Sequence, residues 1–170
     1  IVIEAGEAFK HQQTADKIIN QLIEFDADRK TMLVGAGGGV VTDITGYVAS
    51  VYLRGVEFAF VPTTILAMVD AAIGGKNGID VGLYKNMIGT INQPKFLLYD
   101  FSFLQTLPTE QWINGFAEII KHACIKDAEL FAELQHNSIE KYKNDAALLA
   151  ALIQKNVSLK TTIVIKDEFE

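Results

Sequence analysis

Glycine is placed so unevenly along this chain that one uniform architecture cannot account for it. Of the thirteen glycines in 170 residues, all but Gly6 and Gly115 fall between Gly35 and Gly89, and the remainder is rich in Ala, Leu, Lys and Glu. Glycine weakens a helix interior by about 1 kcal/mol relative to alanine. It is favoured where the backbone turns tightly or lies close to another group. The front of the chain therefore reads as short elements joined by turns, and the back as helix, with the change near residue 100.

Periodicity fills in the elements. Ile18, Ile19, Leu22 and Ile23 predict an amphipathic helix over Thr14–Phe25. Thr31-Met-Leu-Val-Gly-Ala is too short for a helix and predicts a buried strand. Helical spacing returns from Val40 to Arg54, and a second strand from Val56 is closed by Pro62. Thr63 and Thr64 suit the cap of a helix over Ile65–Ile73, stopped by Gly74-Gly75. Lys76 to Gln93 reads as a Gly/Asn-rich loop, and Phe96-Leu-Leu-Tyr-Asp as a third strand. Alternating strands and helices predict an α/β fold with a parallel sheet. From Pro108 onward the pattern predicts three helices, Thr109–Ile125, Ala128–Tyr142 and Ala146–Ile165, and hence an all-α part. Three strands fall short of the ~4–6 of an ordinary sheet, and the first residue is Ile1 rather than methionine. Residues missing at both ends are therefore expected.

Composition excludes several classes of function. Fifteen basic against twenty-one acidic side chains give a net charge of −6, which argues against a surface that tracks nucleic-acid phosphates. With 49% hydrophobic residues the chain can bury a core. A single cysteine, Cys124, excludes an internal disulfide framework and a cysteine-based zinc finger. No run reaches the ~20 unbroken apolar residues of a membrane span, and no secretory pattern opens the chain. A cytoplasmic protein with neither nucleic-acid nor membrane partners is expected.

Four clusters carry potential chemistry. Gly35-Ala-Gly-Gly-Gly-Val-Val-Thr-Asp joins a strand to a helix, where free amides and the helix dipole favour an anion such as a diphosphate. Asp43 could accept from a ligand hydroxyl there. Val40 occupies the last glycine position of G-x-G-x-x-G, so a plain strand-to-helix turn explains the same residues. Pro62-Thr-Thr reads first as helix capping. Asp70, Lys76, Lys85 and Asn86 surround a glycine-rich loop suited to an anionic, oxygen-rich ligand, although a solvated loop has the same composition. Glu118, Lys121 and His122 share one helix face at i, i+3 and i+4. Among apolar neighbours, Glu118 needs a cation, either Lys121 or a metal. Zinc takes three or four protein ligands, and His11, His122 and His136, the only histidines, fit no recognised spacing. Cys124, Trp112 and the phenylalanines read as core.

Nine short motifs in one order and spacing go further: Gly37-Gly-Gly-Val-Val-Thr-Asp, Tyr52-Leu-Arg-Gly-Val, Val61-Pro-Thr-Thr, Val69-Asp, Gly74-Gly-Lys, Lys85-Asn-Met-Ile-Gly, Gln93-Pro, Thr106-Leu-Pro and Gly115-Phe-Ala-Glu-Ile-Ile-Lys. In these the chain resembles the 3-dehydroquinate synthase family of sugar-phosphate cyclases, from about Gly6 to its last residues. The resemblance implies a Rossmann-like α/β domain that binds NAD, here residues 1–103 and partial. It also implies the start of an all-α domain that binds a divalent metal, zinc or cobalt, here residues 104–170.

Carried over by position, Gly38, Gly39, Val40, Val41, Thr42 and Asp43 would hold the NAD diphosphate and ribose, and Glu7 and Lys10 would meet the adenosine side. Thr63, Thr64, Lys76, Lys85 and the segment Phe103, Leu104, Gln105 and Thr106 would complete the cofactor site. Asp70, Lys76, Asn86 and Lys121 would face the substrate, and Arg54 would reach the phosphate site across a homodimer interface. Glu118 would be the first of three metal ligands. In the family the other two are histidines that follow a stretch like Ile165-Lys-Asp-Glu-Phe-Glu, so His122 and His136 receive no metal role. Thr42 replaces a glycine usual in the family, Ala71 and Ala72 replace serines, and Asp80-Val-Gly-Leu-Tyr replaces Asn-His-Pro-Leu-Gly.

The implied activity converts 3-deoxy-D-arabino-heptulosonate 7-phosphate, a small anionic sugar phosphate, to 3-dehydroquinate with loss of phosphate. That is a carbon–oxygen lyase reaction of the shikimate pathway to aromatic amino acids, with NAD used catalytically. Rival readings are a related cyclase of the 2-deoxy-scyllo-inosose or valiolone type, a metal-dependent polyol dehydrogenase, and a chain that by itself does not turn over.

Overall fold

The short apolar run after Thr31 forms strand β1, Met32–Gly37, and the run closed by Pro62 forms β2, Glu57–Pro62, in a computed structural model described over residues 1–167. The two strands pair in parallel, from Met32 opposite Glu57 to Gly37 opposite Pro62. A parallel pair needs a crossover, and helix α2, Gly39–Val51, supplies it. Ile44, Val48 and Ala49 of α2 are fully buried. Helix α1, Gln12–Glu24, precedes them, with Nδ1 of His11 accepting from the Thr14 amide at 3.3 Å as its cap. Helical spacing runs on to Arg54, but α2 stops at Val51. Leu53 and Arg54 then adopt φ of 48° and 66°, a left-handed conformation that side chains resist. The predicted third strand is reduced to a bridge: Leu97 pairs in parallel with Phe60, whose amide donates to the Phe96 carbonyl at 3.2 Å.

The segment read as a loop is instead an antiparallel hairpin, β3 (Lys76–Val81) and β4 (Tyr84–Ile91), turning at Gly82-Leu83. Its base is closed by buried Asn77, whose Nδ2 donates to the carbonyls of Gly75 at 2.7 Å and Asn92 at 2.9 Å. These elements belong to one compact unit, Ile1–Pro62 with Gly75–Leu98.

The second unit comprises Thr63–Gly74 and the chain from Tyr99 on. Thr64 Oγ1 accepts from the Ala67 amide at 3.2 Å, as a cap should. The helix predicted behind it widens into a π-helical turn over Ala67–Ala71, a winding often found at functional sites. Four helices follow: α3 (Thr109–Lys126), α4 (Ala128–His136), α5 (Ile139–Asn144) and α6 (Ala146–Lys166). The single helix expected over Ala128–Tyr142 is broken at Asn137-Ser138, where the Ser138 hydroxyl accepts from the Lys141 amide at 3.4 Å and starts α5. Asp127 and Asp145 cap α4 and α6 in the same way.

Ile65, Met68, Phe116, Ile119, Tyr142 and Ile153 form the heart of this unit's core. Burying each such side chain contributes roughly 1.5–3 kcal/mol. Gly115 lets α3 lie directly on the π turn, because a Cβ there would stand 2.5 Å from the Ile65 Cβ. Trp112 is buried as expected, but Cys124, Phe25, Phe96 and Phe103 are exposed. Helix α6 is long and apolar enough to cross a membrane, with a mean hydropathy of 1.3. Its Leu149, Leu152 and Ile153 are buried in this core.

Candidate active site

In the second unit the π turn, α3 and α6 bring together groups far apart in sequence. Asp70 lies on the π turn and Glu118 and His122 on α3, with one ligand atom from each within 4.8 Å of the others. Lys160 of α6 places Nζ 2.7 Å from Asp70 Oδ1. His122 is buried, and its Nδ1 lies 3.3 Å from Oδ1 of fully buried Asn156. Nδ2 of Asn156 donates to the Leu152 carbonyl at 3.0 Å, which leaves Oδ1 as the acceptor. His122 therefore donates from Nδ1, and its Nε2 faces Asp70 Oδ1 at 3.6 Å.

The charges are strongly coupled. Burial pushes the Asp70 carboxyl up, but the adjacent His122 imidazole, the hydrogen bond from Lys160 and the charges of Lys160 and Lys121 outweigh it, so Asp70 is held well below the usual carboxylate range. Lys121 pairs with Glu118 one turn before it. The hydrogen bond to Glu118 holds the Lys121 ammonium above its ordinary value, against burial. Oε2 of Glu118 is buried, with the Lys121 ammonium as its ion-pair partner. A carboxylate has about four lone-pair sites, so Glu118 could also take a divalent cation together with Asp70 or His122. Asp70 Oδ1 is already engaged by Lys160, which makes Glu118 the donor best able to serve a metal. Two ammonium groups beside it suit an anionic guest.

In the first unit, Gly38 caps α2 with backbone alone, its carbonyl accepting from the Val41 and Thr42 amides at 3.0 and 3.1 Å. The glycines before it answer to packing. A Cβ on Gly35 would meet Thr45 Oγ1 at 2.7 Å, and one on Gly37 would meet the Val41 side chain at 2.5 Å. The plain-turn reading thus accounts for Gly35 and Gly37, while Gly38 and Gly39 remain part-exposed at the helix N-terminus. Thr42 is buried and its hydroxyl donates to the Gly39 carbonyl at 3.0 Å. Beyond the turn, buried Lys10 lies 2.5 Å from both Asp43 Oδ2 and Asn86 Oδ1. Burial pushes the Asp43 carboxyl up to about 6, against the pull of Lys10. Asp43, Lys76 and Asn86 line a cavity of about 350 Å³ between α2 and the hairpin. Lys85 reaches Glu7 at 3.2 Å on the surface.

The structure therefore gathers Lys10, Asp43, Lys76 and Asn86 in one unit, and Asp70, Glu118 and Lys121 in the other. Thr63, Thr64 and the turn Phe101–Thr106 belong to the second unit, Gly38 to Asp43 to the first. The Leu104 side chain is core, so only its backbone could meet a ligand. Arg54 is exposed on its left-handed turn. Lys160, Asn156 and Asp80 were not among the residues singled out by motif, and His122 was singled out only by its helical spacing from Glu118.

The chain is similar to known proteins. The family model described as 3-dehydroquinate synthase N-terminal matches residues 1–114, and that described as 3-dehydroquinate synthase C-terminal matches residues 115–170. A 3-dehydroquinate synthase of Leptospira interrogans is 42% identical over all 170 residues, which cover 47% of that protein. The chain spans about half the length of the curated relatives it matches. Among solved structures, a 2-epi-5-epi-valiolone synthase from Streptomyces hygroscopicus with NAD+ and Zn2+ bound superposes with a TM-score of 0.94 at 33% identity, over 99% of this chain and 48% of that one. A 2-deoxy-scyllo-inosose synthase complexed with carbaglucose-6-phosphate, NAD+ and Co2+ gives 0.86 at 28% identity, over 96% of this chain and 46% of that one.

Proposed function

The chain belongs to the 3-dehydroquinate synthase family, and from that premise we propose that the full-length protein converts 3-deoxy-D-arabino-heptulosonate 7-phosphate to 3-dehydroquinate with loss of phosphate. The observation that carries the reading is the convergence of Asp70, Glu118 and His122, their ligand atoms within 4.8 Å of one another, beside the ammonium groups of Lys121 and Lys160. It is a place for a cation next to a place for anions. In this reading the protein is a carbon–oxygen lyase, and NAD is bound by the Gly38 to Asp43 turn, with Lys10, Glu7 and Lys85 beside it. It is soluble, cytoplasmic and homodimeric, with exposed Arg54 reaching a partner's phosphate site.

When bound, NAD accepts and returns a hydride and the divalent ion acts as a Lewis acid at the oxidised oxygen. The chain's own residues supply charge and position. Lys121 and Lys160 offset the substrate's phosphate and carboxylate and any developing oxyanion. Asp70, kept ionised, holds Lys160 in place and faces His122 Nε2. Lys76 and Asn86 at the rim of the hairpin cavity present an ammonium and an amide to an oxygen-rich ligand. Asp43, with its carboxyl near 6, is ionised at neutral pH and can accept from a ribose hydroxyl.

Product analysis tests the proposal. The full-length protein, supplied with the heptulosonate phosphate, NAD and zinc, should release phosphate and form 3-dehydroquinate without accumulating NADH. A different carbocycle would transfer the assignment to a related cyclase, and NADH formed with each turnover would transfer it to a dehydrogenase.

A further inference from the structure

Asp80 lies in a stretch whose residues differ from those usual in the family. Its carboxylate Oδ1 accepts from the Asn86 backbone amide at 2.7 Å across the hairpin turn. Asn86 has φ of 54°, one of four non-glycine residues with positive φ among those described. Such a conformation persists only where its surroundings impose it. The Asp80 backbone amide donates to the Lys10 carbonyl at 2.8 Å, beside an isolated bridge between Asp80 and His11. Lys10 in turn donates to Asn86 Oδ1 and pairs with Asp43, both at 2.5 Å. Asp80 thus ties down both ends of the Lys10–Asn86 contact, one through its backbone and one through its side chain.

We propose that Asp80 is a positioning residue: it holds Asn86 in its left-handed conformation so that the Asn86 amide, held from behind by buried Lys10, stays registered at the rim of the cavity shared with Asp43 and Lys76. The assignment rests on the proposed function for what Asn86 touches, but not for the positioning itself. The need is for an acceptor atom rather than for a charge, because the partner is a neutral backbone N–H. Without that acceptor, Asn86 relaxes toward ordinary φ, its side chain leaves Lys10, and Lys10 is left to Asp43 alone. Substrate would then meet a contact that must be ordered on binding, which raises KM more than it lowers kcat.

Asp80→Ala and Asp80→Asn in the full-length protein separate these effects, since asparagine keeps the acceptor oxygen and loses the charge. Hydrogen exchange at the Asn86 amide should quicken by about tenfold in the alanine variant and stay near wild type in the asparagine variant. KM for the heptulosonate phosphate should rise by about three- to tenfold in the alanine variant, with kcat changed less, and be restored by asparagine. Unaltered exchange in the alanine variant, or an asparagine variant as impaired as alanine, would overturn the proposal. If the wild-type protein does not turn over this substrate, the proposed function fails, and the exchange measurement alone decides the role of Asp80.

Discussion

Lys160 stands with its ammonium 2.7 Å from the carboxylate of Asp70, ninety residues earlier in the chain, and this pair draws α6 onto the π turn. Lys160→Met should remove a charge-assisted hydrogen bond of about 1.5–3 kcal/mol and lower kcat/KM by about ten- to a hundredfold, with Lys160→Arg recovering part of it. Steady-state kinetics on the full-length protein checks this. Activity in the methionine variant equal to wild type would remove Lys160 from the site.

The same pair sets an acid limit. The Asp70 carboxyl is depressed below its unfolded value of 3.8. Its contribution to stability is therefore fully present above about pH 4 and is lost as pH falls further, toward the folded pKa. In Lys160→Met the depression shrinks, so acid titration followed by circular dichroism should show a shallower loss of stability assignable to this group.

Asp43 runs the other way. Its carboxyl is raised by burial from 3.8 to about 6, so between these values the native state holds a proton that the unfolded chain has released. Stability from this group falls as pH rises through that window and is constant above it. NAD affinity should do the opposite, strengthening from pH 5 to pH 7 as the carboxylate forms and becomes the acceptor for a ribose hydroxyl. Fluorescence titration of NAD across that range should show a midpoint near 6 that disappears in Asp43→Asn.

How much of this could be read in the sequence depended on distance along the chain. Strands β1 and β2 and helix α2 declare themselves through local hydrophobic pattern, and Gly35 and Gly37 mark the turn between them. The hairpin from Lys76 to Ile91 does not, because its strands hold glycine, asparagine and charge in place of alternating apolar residues. Its pairing places Gly78 opposite Gly89, and the base is closed by Asn77. The widened turn at Ala67–Ala71 is likewise set by what packs on it. In the site, Glu118 and Lys121 were visible from helical spacing alone. Asn156 and Lys160 were not, since their partners lie thirty-four and ninety residues away.

Gly115 tests the packing that builds the cluster. Gly115→Ala should force α3 off the π turn, because the new Cβ would lie 2.5 Å from the Ile65 Cβ and 2.9 Å from the Leu66 amide nitrogen. Overpacking of this kind costs about 1–3 kcal/mol, measurable as a lowered denaturation midpoint with unchanged slope.

The most direct test is the metal content of purified full-length protein in wild-type and Glu118→Gln forms, with circular dichroism confirming that both are folded. The expected result is about one zinc per chain in the wild type and little or none in the variant, with phosphate release lost in parallel. A Glu118→Gln protein that keeps its zinc and its turnover would contradict the assignment of the buried Glu118 oxygen to a divalent ion, and with it the reading of this cluster as the chemical centre.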